Sequence, residues 1–405
     1  MPGPCFDRAG MMAAVGLLFM LGYSEAKRSS DEVEMKLVSA HTRFGFKLFS
    51  ELIKQDPHRN IFISPPGVMM ALTMAYNGAE GQTQRVMTQT LELEGLSLPE
   101  VNHGNAALKN MLESPDSKIQ LIIANSLWAR KGVQFKPEFV DKNRNFYKAT
   151  LTDLDFGDPN AALAINAWVK AATQNKITRA AGDKIDPATL LFLLNAIYFK
   201  GTWRLEFDKA KTAEGEFTTA SGRAQKHPLM SQSGYYSYYQ GKGFQAVALP
   251  YGKGQVSMYI FLPAKGSDLE EFYSRLDAKT WEEWMPQFHN SRGHIVLPRL
   301  RLNYDVDLNN ALRALGMGMA LDPALANFAH MCTALQRPFI QTVEHAAFVE
   351  VNEEGTEAAA VTSVGVGITA EQPTFSMVVN RPFFSVIRDS KTGLILFMGS
   401  IVEPE

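Results

Sequence analysis

At 405 residues, with 46% apolar content and a formal charge of −2, the chain has the composition of a well-cored globular protein. That balance excludes a disordered or fibrous chain and supplies no basic excess for nucleic acid or a lipid surface. Length alone points to two or three domains, but no Pro/Gly/Ser-rich linker, low-complexity tract or internal repeat separates them, so one large domain is expected.

The first element in chain order is "MMAAVGLLFMLGYSEA", Met11 to Ala26, a short apolar run closed by small residues at Ser24 and Ala26. That is the form of an export signal. It is too short to span a bilayer, which needs about 20 apolar residues. Residues 1–26 are therefore expected to be a cleaved signal and 27–405 a single secreted domain, extracellular, or periplasmic if the source is bacterial. Cys5 lies in that signal, which leaves Cys332 with no cysteine to pair with in the mature chain. No Asn-x-Ser/Thr sequon occurs, so export would not bring N-glycosylation.

Helices are expected early and strands later. "HTRFGFKLFSELIKQ" (His41 to Gln55) places Phe44, Leu48 and Leu52 at helical spacing, and "GVMMALTMAYNGAEGQT" runs helically until Asn77-Gly78. "LLFLLNAIYFKGTW" (Leu190 to Trp203) is a nearly continuous apolar run, the pattern of a strand buried on both faces. The cluster "YYSYY" (Tyr235 to Tyr239) reads as an alternating strand with one buried tyrosine face. "FQAVALPYGKGQVSMYIFLP" reads as a hairpin around Gly252 to Gly254. "GHIVLPRLRLNYDVDL" alternates as one further strand, and "GLILFMGSIVEP" closes the chain as another. This mixed order fits an α+β domain with more than one sheet.

A search for catalytic chemistry finds no Gly-x-Ser-x-Gly elbow, Walker loop, dinucleotide glycine fingerprint or His-Glu-x-x-His helix. His330 with Cys332, and His289 with His294, lack companions at metal-ligand spacing. No metal, cofactor or enzymatic activity is expected.

"EVNEEGTEAAAVTSVGVGITAEQPTF", Glu350 to Phe375, is the unusual stretch. Counted by strand parity from Thr356, one face carries Thr356, Ala358, Ala360, Thr362, Val364, Val366 and Ile368, with no charge and no glycine. The other carries Glu357, Ala359, Val361, Ser363, Gly365, Gly367 and Thr369. The first face suits a strand lying on a core. The two glycines weaken a permanent central strand, and "VTSVGVGIT" disfavours a helix. The remaining reading is a segment that is an exposed loop in one state and a strand in another.

"VNEEGTEAAAVT" resembles the reactive-loop hinge of the serpins, and "NIFISPPGVMMAL", "LLNAIYFKGTW", "VEHAAFVEVNEEGTEA" and "NRPFFSVIRDSKTGLILFMGSIVEP" match that family's signature blocks in order. The resemblance covers nearly everything after about residue 36. It implies one fold of three β-sheets and eight to nine helices, with an exposed reactive-centre loop at about residues 353–379. It also implies a serine protease inhibitor acting as a suicide substrate. The protease cleaves the loop, the hinge side inserts into the main sheet while the acyl-enzyme persists, and the protease is dragged away and distorted.

The same resemblance carries over a set of residues. The hinge is Glu353, Glu354, Gly355, Thr356, Glu357, Ala358, Ala359 and Ala360, whose small and uncharged positions belong to inhibitory members. Trp203 corresponds to the point where the sheet first opens. Ser64, Asn195 and His345 correspond to a polar cluster beneath the sheet centre; the family's second serine there is Gly67 in this chain, which implies a looser cluster. The reactive bond falls at Thr369-Ala370 counted from Glu353, or at Glu371-Gln372 counted back from Pro382. No Lys or Arg lies between Arg337 and Arg381, so a trypsin-like pocket has no side chain to receive. Thr369 suits an elastase-like serine protease of small or β-branched specificity, Glu371 a glutamate-specific one. No nucleic acid or membrane partner is expected, and the protein is expected to be a monomer. "SLPEVNHGNAALKNMLE", near the family's usual cofactor helix, has Lys109 as its one cation, so no strong polyanion site is expected there.

Overall fold

The computed structural model describes residues 8–113, 116–267, 269–333, 338–356 and 374–404, with side chains from residue 31 onward except that of Thr356. From the N-terminus run α1 (Arg8–Gln55), β1 (Ile61–Ile63), α2 (Pro65–Tyr76), α3 (Gly81–Thr90) and α4 (Leu98–Leu112). Then come β2 (Ile119–Arg130), α5 (Pro137–Tyr147), β3 (Thr150–Leu154), α6 (Ala161–Ala172) and β4 (Leu191–Thr202). Four strands follow, β5 (Ala213–Thr218), β6 (Ala224–Gly241), β7 (Phe244–Pro250) and β8 (Val256–Pro263), and then two short helices, α7 (Leu269–Ser274) and α8 (Ala278–Trp284). The remainder is β9 (His289–Pro298), β10 (Leu300–Asp307), α9 (Asn309–Ala314), β11 (Thr342–Val351), β12 (Gly355–Thr356), β13 (Phe375–Val378), β14 (Phe383–Asp389) and β15 (Ile395–Ile401).

The expected α+β class and helix count hold, with nine α-helices among the described residues. The described strands form two hydrogen-bonded sheets, of nine and six strands, because the long β6 joins two of the three expected ones. Its Leu229–Tyr238 stretch pairs with β9, while Ser237–Gly241 pairs with β7, so one ladder runs through both. The third sheet stands apart in the order β10-β11-β4-β2-β3, with β12 attached to β4.

Local chemistry explains the helix ends that matter. Ser64 caps α2 by accepting the Gly67 N–H, Pro65 at the first turn needs no hydrogen bond, and Asn77 ends the helix where the sequence predicts a break. α1 continues through the predicted His41–Gln55 helix and begins much earlier, at Arg8, so most of the expected signal segment is the first part of this helix.

β4 is buried on both faces, as its apolar run predicts. Leu191, Leu193, Ile197 and Phe199 face the main core with α1 and α2, whereas Phe192, Leu194, Ala196 and Tyr198 join a second cluster with Ile165 and Val169 of α6. The predicted hairpin is β7 and β8, and the tyrosine strand buries Tyr236 and Tyr238 while exposing Tyr235.

One expectation fails. Gly293 to Leu308 is not one strand but two in different sheets, β9 beside β6 and β10 beside β11. The chain crosses at Arg299, whose N–H donates to the Pro228 carbonyl at 3.0 Å. The buried positions shift phase at the crossing, from Gly293, Ile295 and Leu297 to Leu300, Leu302 and Tyr304, so reading the stretch as one alternating strand passes over a break in period.

Candidate functional site

β11 and β4 lie side by side and parallel at the middle of the separate sheet, with Thr342 opposite Phe192 and Phe348 opposite Tyr198. At the top of this seam the chain leaves β11 and reverses through Asn352 to Gly355, which bridge each other. β12 then starts down β4 antiparallel, with Gly355 opposite Thr202 and Thr356 opposite Gly201. Gly355 is obligatory at this turn. Its φ is +134°, and a Cβ would stand 2.1 Å from the Gly201 carbonyl oxygen.

Two buried glutamates fasten the turn. Glu353 receives Arg299 Nε at 2.8 Å and Nη2 at 2.6 Å, and also the Thr212 hydroxyl. Burial alone would raise its carboxyl, but the hydrogen bonds from Arg299 and Thr212 outweigh burial and hold it below the ordinary range. Glu354 pairs with Lys209, and its second oxygen is buried without a partner. That contact raises the lysine above its ordinary value.

Trp203 completes the clasp. Its indole N–H donates to the Asn352 carbonyl and its backbone N–H to the Glu354 carbonyl, both at 2.9 Å. Phe207 N–H donates to the Glu353 carbonyl at 2.8 Å. The Trp203 ring stacks on Tyr251 with centroids 4.3 Å apart, so the tryptophan is fixed on one side by packing and on the other by the hinge backbone.

Lower on the seam, Ser64, Asn195 and His345 come together in a buried chain. Ser64 N–H donates to His345 Nε2 at 3.1 Å, which makes Nδ1 the protonated nitrogen, and Nδ1 donates to Asn195 Oδ1 at 2.8 Å. Asn195 Nδ2 passes the direction on to Asn125 Oδ1 at 2.7 Å. Burial lowers His345 to about 3, so the ring is neutral. The cluster is not loosened by Gly67. A Cβ there would stand 2.5 Å from Asn195 Oδ1, so the glycine makes the room that the asparagine amide fills.

Sequence reading missed Arg299, Thr212, Lys209 and Asn125. Arg299 and Glu353 are 54 residues apart with no local pattern linking them. Asn125 had a signal, since it interrupts an apolar strand as Asn195 does. Glu357, Ala358, Ala359 and Ala360 of the hinge, and both candidate bonds, Thr369-Ala370 and Glu371-Gln372, lie outside the described residues. Beyond them Thr374 is tied to the Arg292 carbonyl by its N–H at 2.8 Å and its hydroxyl at 2.6 Å. β13 follows at once, parallel to β9, so the expected loop span to residue 379 includes a paired strand from Phe375. Lys109 on α4 is turned inward, with its side chain 3% exposed and its ammonium on Glu113 and the Ile123 carbonyl.

Residues 39–404 match the family model described as serpin (serine protease inhibitor). Among similar proteins, Serpin B8 of Homo sapiens is 34% identical over 376 residues, which span 91% of this chain and 99% of the relative. Glia-derived nexin of Rattus norvegicus is 32% identical over 373 residues, 89% of this chain and 91% of the relative. Among solved structures, native protease nexin-1 with heparin superposes with a TM-score of 0.84 at 28% identity, covering 92% of this chain and all of that one. A thyroxine-binding globulin complex with thyroxine gives a TM-score of 0.83 at 26% identity, covering 91% and 99%.

Proposed function

The chain belongs to the serpin family, and from that premise we propose that it inhibits a serine protease as a suicide substrate. One observation carries the reading. β12 already runs antiparallel to β4 out of a closed hairpin turn, at the mouth of a parallel β4/β11 seam. A strand continuing from β12 has a ladder edge available on each side once the seam parts.

The protease serine attacks the carbonyl of residue 369, the bond to Ala370 breaks, and an ester links enzyme and inhibitor. With the cut made, residues after Thr356 are free to enter the seam. About ten new ladder hydrogen bonds at a net ~1 kcal/mol each give an insertion of roughly 10 kcal/mol before apolar burial. A protease domain is stable by only about 5–15 kcal/mol, so insertion has the scale needed to distort it. The uncut protein is then metastable, held by a barrier in which the hinge clasp and the His345–Asn195 contact take part.

Thr369 as the acylated residue favours an elastase-like target, and cleavage after Glu371 a glutamate-specific one. The apolar run Met11 to Ala26 lies before the matched domain, which supports export. The protein acts as a monomer on one protease. A second reading, a non-inhibitory carrier, is favoured by the likeness to thyroxine-binding globulin.

Incubation with a protease panel separates the two. Inhibition gives a complex that survives denaturation, plus a released C-terminal fragment beginning at Ala370 with an elastase-like enzyme; a start at Gln372 moves the bond to Glu371. Efficient cleavage with no complex from any protease overturns the inhibitory reading in favour of the carrier.

A further inference from the structure

Arg381 carries a positive charge in the lining of a cavity of about 290 Å³, and its hydrogen-bond partners among the described residues are neutral. Nε and Nη2 donate to the Pro263 carbonyl at 3.0 and 2.8 Å, and Nη1 reaches Asn380 Oδ1 at 3.4 Å. Those three bonds leave two of the five guanidinium N–H groups for an incoming acceptor. We propose that this cavity is a binding site for a compact organic carboxylate, an anionic head on an apolar body, with Arg381 holding the head. The site rests on neither the inhibitory nor the carrier reading, because it shares no residue with the hinge or the seam.

Segments distant in sequence build it. α1 and the turn after it contribute Ile53 and Pro57, the end of β8 Pro263, α7 Leu269 and Tyr273, and the approach to β14 Arg381 beside Pro382. Apart from the arginine these are apolar walls. The rim is preformed, because Ser267 returns both its N–H and its hydroxyl to the Ala264 carbonyl, at 3.1 and 2.7 Å.

The charge is what selects the ligand. Among the described lining residues Glu270 is the one carboxylate, and it is solvent-exposed, whereas Arg381 is half-buried. Burial is the sole cause that moves the arginine, lowering it from its ordinary value. A guanidinium stays charged even so. One permanent cation answers one negative charge, and a guanidinium edge matches the plane of a carboxylate. A phosphate dianion would leave a charge unmet beside apolar walls. A cavity this small sits at the lower end of ligand sites and admits roughly ten to fifteen non-hydrogen atoms.

The test titrates phenylbutyrate and its neutral amide into wild type, Arg381→Gln and Ala264→Phe by calorimetry, with each thermal midpoint measured alongside. Ala264 lines the cavity and is exposed, so its replacement by phenylalanine fills the space and leaves Arg381 in place. Wild type is expected to bind the acid with a Kd of ~0.1–1 mM and the amide at least about tenfold more weakly. Both variants should lose affinity for the acid by a similar factor at an unchanged midpoint. No binding of the acid by wild type at about 10 mM overturns the site, and equal affinity for acid and amide overturns the role of the arginine. Acid binding retained by Ala264→Phe, or by an Arg381→Gln protein that melts with wild type, also overturns it, since the acid then sits elsewhere. If Arg381→Gln melts early, Ala264→Phe decides alone: loss of binding upholds the site and retention removes it.

Discussion

His345 and Asn195 stand directly opposite one another on β11 and β4 and hydrogen-bond at 2.8 Å, across the seam that the proposed insertion would open. The bond is one link in a chain with a fixed direction, from Ser64 N–H to Asn125 Oδ1, and every member is buried. Asn195→Ala leaves the His345 Nδ1–H and Asn125 Oδ1 without partners, each costing about 1–3 kcal/mol. The expected result is a lower unfolding midpoint for the uncut protein and a shorter half-life of inhibitory activity at 37 °C-type storage. A variant as durable as wild type means the chain plays no part in the barrier.

The buried His345 and the half-buried Glu344 give opposite pH dependence. His345 falls from the ordinary 6.5 to about 3 through burial, so the unfolded chain binds a proton that the fold refuses. Its contribution is present above pH 6.5 and is lost as pH falls toward 3. Glu344 is raised from 4.5 to about 8, first by burial and then by Asp307, directly across the β10/β11 pair, and by Asp305. Here the fold keeps a proton that the unfolded chain releases, so the contribution is full below pH 4.5 and lost as pH rises through about 8. Glu344→Gln should therefore shrink the drop in urea midpoint between about pH 6 and about pH 9. The same drop in both proteins would remove Glu344 as its source.

Much of this was legible before any coordinates. The apolar run of β4, the β7/β8 hairpin and the break after α2 each follow from a period or a cap within a dozen residues. Asn195 announced itself as the polar residue in an apolar strand. What stayed hidden depends on distant pairing. The Arg299 clasp on Glu353 joins the crossing between β9 and β10 to the turn after β11. The crossover at Arg299 shows locally only as a change of phase at Pro298, and the fit of Gly67 to Asn195 needs the packing of α2 on β4.

The β12 register assigns a face to each hinge position. Thr356 lies opposite Gly201, where a Cβ would meet Tyr251 at 2.8 Å and Phe199 at 3.0 Å, on the side of the main core. An inserted strand continuing this register by one step would set Glu357 opposite Lys200, on the other face. On that register Thr356→Arg would carry a guanidinium toward this aromatic cluster as the strand inserts, where an unpaired buried charge costs several kcal/mol. Insertion slows, deacylation by water wins, and the variant becomes a substrate. Glu357→Arg should remain largely inhibitory. The number of inhibitor molecules consumed per protease inactivated measures both, and a worse defect in Glu357→Arg would reverse the assigned faces.

The same register leads to the seam itself. Six steps down β4 from the Thr356–Gly201 pair bring Thr362 opposite Asn195, and seven steps from the Asn352–Gly355 bridge bring Thr362 opposite His345. The two ladders agree with the His345–Asn195 pairing between β11 and β4. An inserted strand therefore parts these two side chains by roughly 10 Å, two strand spacings, and sets a hydroxyl between them. A hydroxyl both donates and accepts, so it can take over one partner from the broken bond, whereas an alkyl group leaves both unpaired. Thr362→Val, equal in shape, should leave the uncut protein unchanged and lower the thermal midpoint of the cleaved form, with about 1–3 kcal/mol lost for each group left unsatisfied. More inhibitor should also be consumed per protease. A cleaved Thr362→Val protein melting with cleaved wild type would show that residue 362 does not come to rest between Asn195 and His345, and the inserted register would have to be shifted.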